Sequence, residues 1–358
     1  MKILTVIGAR PQFIKAAAVS KEINQHREVE EVIIHTGQHF DKNMSAIFFE
    51  EMGIPKPKYQ LDIHSLSHGA MTGRMMEEIE KIALLESPDF LMVFGDTNST
   101  LAAALAAKKL KIKVIHVEAG LRSFNMDMPE EINRILTDRI SDLLFCPTES
   151  AIENLKNEGF DNFNVLISNC GDVMEDAALQ FSEIAEKKSQ IRKEIHLKDE
   201  YILCTIHRAE NTDDIKKLRS IVAAINEINE EVQVILPVHP RTKKIFDQNE
   251  IKIEASVIEP VGYLDMLELI KNSKIIMTDS GGLQKEAFFF DKFCITLREE
   301  TEWVELVKNG YNKISGSDKA KIINAYHYFK AEKFIKRHNF YGGGNASKRI
   351  LMELKKLK

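Results

Sequence analysis

The sequence predicts an α/β protein built from two doubly wound, Rossmann-like domains, and three observations carry that reading. Short apolar runs bounded by turn residues alternate with longer amphipathic stretches, the rhythm of βαβ units and parallel sheets. The 358 residues exceed one core of about 150 residues, so two domains are expected. The rhythm breaks in a charged stretch at 183–200, EIAEKKSQIRKEIHLKDE, and then restarts.

KILTVIG (2–8) reads as a first strand, and Pro11 to Glu22 as the helix after it. EVIIHT (31–36) is a second strand. A helix is expected around 41–52 and a long one near 69–86. FLMVFG (90–95) is a third strand, TNSTLAAALAAKKLK a capped helix, and VIHVE (114–118) a fourth strand. Pro129 opens a helix with Glu130 and Glu131 in its first turn, where the helix dipole favours acids. Beyond the charged seam come the strand YILCTIH (201–207), a helix over 213–229, the strand VQVILPVH (232–239) and the run VIEPVG. YLDMLELIKN follows as a helix, KIIMTD (274–279) as a strand, GGLQKEAFFF as a helix and CITLR (294–298) as a strand. ASKRILMELKKLK reads as an amphipathic closing helix. Two similar βα halves fit two domains facing a cleft.

Composition removes several function classes. Apolar residues are 44% and charged residues 29%, which excludes disordered, collagen-like and coiled-coil readings. Lys plus Arg number 49 against 54 Asp plus Glu, a net charge of −5. Neither nucleic acid nor an anionic membrane surface is an expected partner. No apolar run reaches the roughly 18 to 20 residues of a membrane span. The N-terminus reads as a strand and not as a signal peptide. Cys146, Cys170, Cys204 and Cys294 match no zinc or redox spacing. They are expected as buried, reduced thiols of a cytoplasmic protein. His35, His39, His64, His68 and His116 show no metal spacing either, so no metal and no cofactor is expected.

Ligands of open parallel sheets bind beyond the carboxyl ends of the strands, and those ends are polar here. Gly8-Ala9-Arg10-Pro11-Gln12-Phe13-Ile14-Lys15 leads a glycine turn into a helix, and Arg10 and Lys15 suit a phosphate or diphosphate. A structural turn with solvated basic residues is the competing reading. Thr278-Asp279-Ser280-Gly281-Gly282 follows a strand and opens a helix, with Glu286 a turn inside it. The glycines permit close approach of a nucleotide diphosphate, and Glu286 suits ribose hydroxyls. A plain helix cap is the alternative. Asp96 and Glu118 end strands, and Glu130 and Glu131 start a helix soon after. Carboxylates clustered in this way are expected to raise one another's pKa, as general acids and bases require. His207-Arg208 ends the first strand of the second half, and His239 with Arg241 forms a weaker pair. Tyr341-Gly342-Gly343-Gly344-Asn345-Ala346-Ser347 reads as either a hinge or a close-approach loop.

Taken together, GARPQFIK, GDTNST, HVEAGLRSFNMDMPEEINR, FCPTESA, TIHRAEN, PVHPRT, DSGGLQKEA and TEWVE resemble the non-hydrolysing UDP-N-acetylglucosamine 2-epimerases over essentially the whole chain. The resemblance implies a glycosyltransferase-B type fold whose C-terminal helix crosses back to the first domain. The implied domains are 1–170 joined by about 345–358, and 171–344. It implies inversion at C2 of a UDP-2-acetamido sugar by anti elimination of UDP and re-addition through a 2-acetamidoglycal, for surface polysaccharide. No metal or redox cofactor is implied, and a homodimer is. On matching positions Asp96, Glu118 and Glu130 correspond to the catalytic carboxylates, with Glu131 their neighbour, and His207 to an essential residue near the diphosphate. Arg10, Ser280, Gly281, Gly282 and Glu286 match nucleotide-binding positions. Lys15 and His239 join them from the reading of the strand ends.

The chain departs from the commonest pattern at Gly8-Ala9-Arg10-Pro11-Gln12, where GTRPE is usual. It also has Gln38-His39-Phe40-Asp41 where activator-dependent members carry Arg after Gln-His. GARPQFIKA, GDVMEDAAL and QKEAFFF resemble a branch acting on UDP-2,3-diacetamido-2,3-dideoxyglucuronate. The C5 carboxylate of that sugar needs a partner, for which Arg122, Arg134 and Arg298 are candidates. UDP-N-acetylglucosamine is the alternative substrate. A retaining glycosyltransferase, a hydrolysing epimerase and a non-catalytic UDP-sugar sensor are the competing activities.

Overall fold

Each half of the chain builds its own all-parallel sheet. The computed structural model describes residues 1–38 and 55–357; the helix expected around 41–52 and the Gln38–Asp41 motif beyond Gln38 lie outside the described residues. One unit comprises Met1–Ala177 with Asn339–Lys358, and the other Ala178–His338.

The first unit carries β1 (Lys2–Ile7), β2 (Glu30–His35), β3 (Tyr59–Gln60), β4 (Phe90–Phe94), β5 (Lys113–Val117), β6 (Leu143–Cys146) and β7 (Leu166–Asn169). Their order is β3-β2-β1-β4-β5-β6-β7, and every pairing is parallel. β4 is buried along its whole length, so it is continuously apolar instead of alternating. The helix Asn98–Lys109 lies between the helices His68–Glu86 and Pro129–Ile140. Ala102, Ala103, Ala104, Ala106 and Ala107 are fully buried there, because only small side chains let it pack on several sides.

The second unit carries β8 (Tyr201–Thr205), β9 (Gln233–Pro237), β10 (Ser256–Ile258), β11 (Ile275–Thr278), β12 (Phe293–Thr296) and β13 (Asn312–Ile314). Their order is β10-β9-β8-β11-β12-β13, again parallel throughout. Strand order reverses between β1 and β4 in one sheet and between β8 and β11 in the other. Such switch points are where open α/β sheets bind ligands.

The glycine run near the C-terminus is a close-approach loop. Glu175 Oε2 accepts from the Gly343 and Gly344 amides at 2.6 and 3.3 Å. Asp176 accepts from those of Ala346 and Ser347 at 2.9 and 2.7 Å. A Cβ on Gly171 would lie 2.4 Å from the Tyr341 carbonyl oxygen. The carboxylates of the GDVMEDA segment thus cap the helix Ala346–Lys356, which packs against the helix Arg10–Ile23 within the first unit. All four cysteines are buried and unpaired. Among the described residues no helix is long and apolar enough to cross a membrane.

Candidate active site

The turn after β1 is held by Gln12, which is almost fully buried. Its Oε1 accepts from the Gly8 and Ala9 amides at 2.8 and 3.0 Å. Its Nε2 donates to the Phe94 carbonyl and Thr100 Oγ1 at 2.8 and 3.0 Å. One amide side chain therefore ties the end of β1 to the end of β4. Gly8 has no room for a Cβ, which would fall 2.1 Å from Thr36 Oγ1. Arg10, half-buried, opens the next helix.

The acids stand on neighbouring strand ends. Glu118 follows β5 with φ of +71°, a left-handed conformation costly for a non-glycine residue and concentrated at functional sites. Its carboxylate forms an ion pair with Lys15, each side chain only 11% exposed. Lys15, expected beside a phosphate, is here the counter-ion of Glu118. A Cβ on Gly95 would meet Glu118 Oε2 at 3.1 Å and Lys15 Nζ at 3.4 Å.

Asp96 is one residue further along the loop after β4, its side chain 34% exposed. It pairs with Arg134, whose Nη1 donates to Glu131 Oε2 at 2.7 Å. Glu131 is buried and accepts further from the Ser123 amide and hydroxyl and the Phe124 amide, each at 2.9 Å. Burial alone would raise its pKa, but these bonds and Arg134 hold it below the ordinary carboxylate value. Glu131 is thus a locked anion that shapes the loop at 123–124, and the free acid–base group expected of it is not what the structure provides. Glu130, beside it, is exposed. The expected bare cluster of like charges also needs correction, because Lys15 and Arg134 are interleaved with the acids.

His116, buried inside β5, links the two strand ends. Its Nε2 donates to the Gly95 carbonyl at 2.7 Å and its Nδ1 faces Asp138 Oδ1 at 2.6 Å. Asp138 also accepts from the Gly120 amide at 3.1 Å and from Arg122 Nη1 at 2.7 Å. Arg122 completes its contacts with both oxygens of Glu158, at 2.6 and 2.8 Å. With its side chain 1% exposed, Arg122 is a buried strut and not a candidate for a sugar carboxylate.

In the second unit Asp279 and Ser280 follow β11. Ser280 Oγ caps the helix Gly281–Phe289, accepting from the Leu283 amide at 3.4 Å. A Cβ on Gly281 would collide with Glu302 Oε1 at 2.2 Å, whereas one on Gly282 meets nothing nearer than Ser280 Oγ at 4.0 Å. The exposed Gly282 therefore leaves open space over the helix N-terminus, as an anion requires. Glu286 is 8% exposed. Arg298 donates to Glu302 at 2.8 Å, and His239 Nδ1 accepts from the Arg241 amide at 3.3 Å, capping the helix Pro240–Gln248. His207 is half exposed and its Nδ1 lies 3.1 Å from Asp279 Oδ1. Sequence reasoning passed over Asp279; its place directly before Ser280 and after a buried strand was the available signal.

Comparison with known proteins shows the family of the chain and the likeness of its fold. The family described as UDP-N-acetylglucosamine 2-epimerase matches residues 21–355. UDP-2,3-diacetamido-2,3-dideoxy-D-glucuronate 2-epimerase of Pseudomonas aeruginosa is 56% identical over the full length of both chains. UDP-N-acetylglucosamine 2-epimerase of Methanocaldococcus jannaschii is 45% identical over 98% of each. The crystal structure of the M. jannaschii enzyme with UDP-GlcNAc and UDP superposes with a TM-score of 0.86 at 45% identity, covering 99% of this chain and 100% of that one. That of the Neisseria meningitidis enzyme bound to UDP-GlcNAc gives 0.85 at 34% identity, with the same coverage.

Proposed function

Given that the chain belongs to the UDP-N-acetylglucosamine 2-epimerase family, and so is an isomerase of UDP-acetamido sugars, we propose that it converts UDP-2,3-diacetamido-2,3-dideoxyglucuronate to its manno epimer. The pairing of Glu118 with Lys15 and of Asp96 with Arg134 on adjacent strand ends carries the chemistry. The full-length likeness to the P. aeruginosa enzyme, together with GARPQFIKA and GDVMEDAAL, supports the substrate.

In this reading Asp96, Glu118 and Glu130 move the C2 proton. A C2 proton beside an acetamido group is weakly acidic, so a positioned carboxylate must take it. The C1–O bond breaks as C1=C2 forms, and the electron pair leaves with UDP. Protonation at C2 on the other face and return of UDP to C1 give the epimer. Arg134 holds Asp96, and Glu131 positions Arg134 and the loop beside it. In the second unit Ser280, Gly281, Gly282 and Glu286 hold the nucleotide, His239 adds to that binding, and His207 meets the charge on the departing diphosphate. Arg10 keeps the nucleotide-binding role given by the resemblance. Arg134 and Arg298 remain as partners for the C5 carboxylate. The family resemblance further carries a cytoplasmic homodimer serving surface-polysaccharide synthesis.

Cleavage of the C1–O bond is tested by labelling the oxygen between C1 and the β-phosphorus with 18O. Scrambling of label into the non-bridging β-phosphate positions is expected, and retained label with full epimerisation would exclude departure of UDP. The alanine variant Gly95→Ala tests the packing beneath Glu118. With φ of +62° at this position, the substitution is expected to cost about 1 kcal/mol. By displacing Glu118 it lowers turnover about tenfold. Wild-type turnover in a folded variant would contradict this.

A further inference from the structure

We infer that Asp279 is the positioning residue of His207: it holds the imidazole in the tautomer that carries hydrogen on Nδ1 and presents Nε2 to the leaving diphosphate. This rests on the reading of His207 as the diphosphate residue.

Asp279 is fully buried directly after β11. Its Oδ2 accepts from the His207 and Arg208 amides, both at 3.0 Å, and from Asn211 Nδ2 at 3.1 Å. Its Oδ1 faces the His207 amide at 3.2 Å and His207 Nδ1 at 3.1 Å. The same Asn211 amide donates to the Leu297 carbonyl at 2.9 Å, which seats the turn on the end of the sheet. One carboxylate therefore joins the two motifs TIHRAEN and DSGG. Burial alone would raise the pKa of Asp279, but the bonds from His207, Arg208 and Asn211 hold it below the ordinary carboxylate range.

An ionised carboxylate only accepts, so the hydrogen between Asp279 and His207 belongs to Nδ1. Among the described residues nothing bonds Nε2, and the His207 side chain is 52% exposed. The ring is thus tethered at one nitrogen and open at the other. In the neutral ring Nε2 offers a lone pair, and once protonated it donates to a phosphate oxygen. The backbone bonds would fix the turn without any of this; the contact of Oδ1 with Nδ1 is the feature that fixes the ring.

Asp279→Asn separates the two roles. An asparagine oxygen placed on the Oδ2 side keeps the His207, Arg208 and Asn211 donors. Its NH2 group then replaces Oδ1 and faces Nδ1, which must become an acceptor. The hydrogen moves to Nε2, so that nitrogen has no lone pair left to take a proton, and the departing diphosphate meets a neutral N–H in place of a cationic donor. Proton–nitrogen correlation NMR of histidine-labelled protein reads the tautomer directly, with the His207 signals identified by their loss in His207→Gln. The expected results are an Nδ1–H ring in the wild type, an Nε2–H ring in Asp279→Asn, and a fall in kcat of about a hundredfold with KM changed less than about threefold. In the His207→Gln background, Asp279→Asn is expected to cost nothing further. A wild-type ring protonated at Nε2 overturns the inference whether or not the variant folds. So does an unchanged tautomer in Asp279→Asn, or an equal loss in both backgrounds. Undiminished activity of His207→Gln would instead overturn the reading of the site, which the tautomer measurement alone cannot do.

Discussion

Glu118→Gln is expected to fold and to turn over more than about a hundredfold more slowly. Gln is nearly isosteric and keeps the left-handed backbone that residue 118 already has. What it removes is the negative charge that balances Lys15 and that the proposed proton transfer at C2 calls for. The buried Lys15 ammonium then loses its partner, so a modest stability loss of about 1 to 3 kcal/mol accompanies the loss of rate. The two effects separate by following thermal unfolding and epimer formation on the same preparation. Near wild-type turnover would remove Glu118 from the chemistry.

Arg122→Ala is expected to produce the largest stability loss, about 3 to 5 kcal/mol, because removing one partner of a buried pair strands the other. Asp138, fully buried, loses its cation while still facing His116 and the Gly120 amide. Denaturant titration reads this as an earlier midpoint. Activity falls too, since Asp138 and His116 lead to the Gly95 carbonyl. Arg122→Lys recovers only part of the loss, because an ammonium cannot reproduce the contacts to Asp138 and both Glu158 oxygens. A loss below about 1 kcal/mol in Arg122→Ala would contradict the buried-strut role.

Much of this was legible in the chain. The long central strands announced themselves as apolar runs, and Thr97, Ser280 and Pro129 marked the helix starts. β3, β6, β7 and β13 were not read, whereas β11 and β12, with only four residues each, were read from apolar runs bounded by turn residues. The alanine-rich helix Asn98–Lys109 was readable from its cap, not from its weakly contrasted faces. At the site, residue types pointed to acids and a diphosphate turn, but charges distant in sequence set their state. Lys15 reaches Glu118 across 103 positions and Arg134 reaches Asp96 across 38. Arg122 was a candidate ligand only as a cation that a sugar carboxylate would need; Asp138 and Glu158, which bury it, come from later elements. The GDVMEDA and YGGGNAS motifs are joined by backbone-to-carboxylate bonds across about 170 positions, which no local pattern reveals.

The central claim, C2 epimerisation of the diacetamido uronate, is most directly tested by proton NMR in D2O with the UDP-uronate and UDP-GlcNAc supplied separately. The account predicts deuterium at C2 and a new manno anomeric signal from the uronate alone. A C2 proton retained with both sugars would contradict the reaction, and turnover of UDP-GlcNAc alone would contradict the substrate.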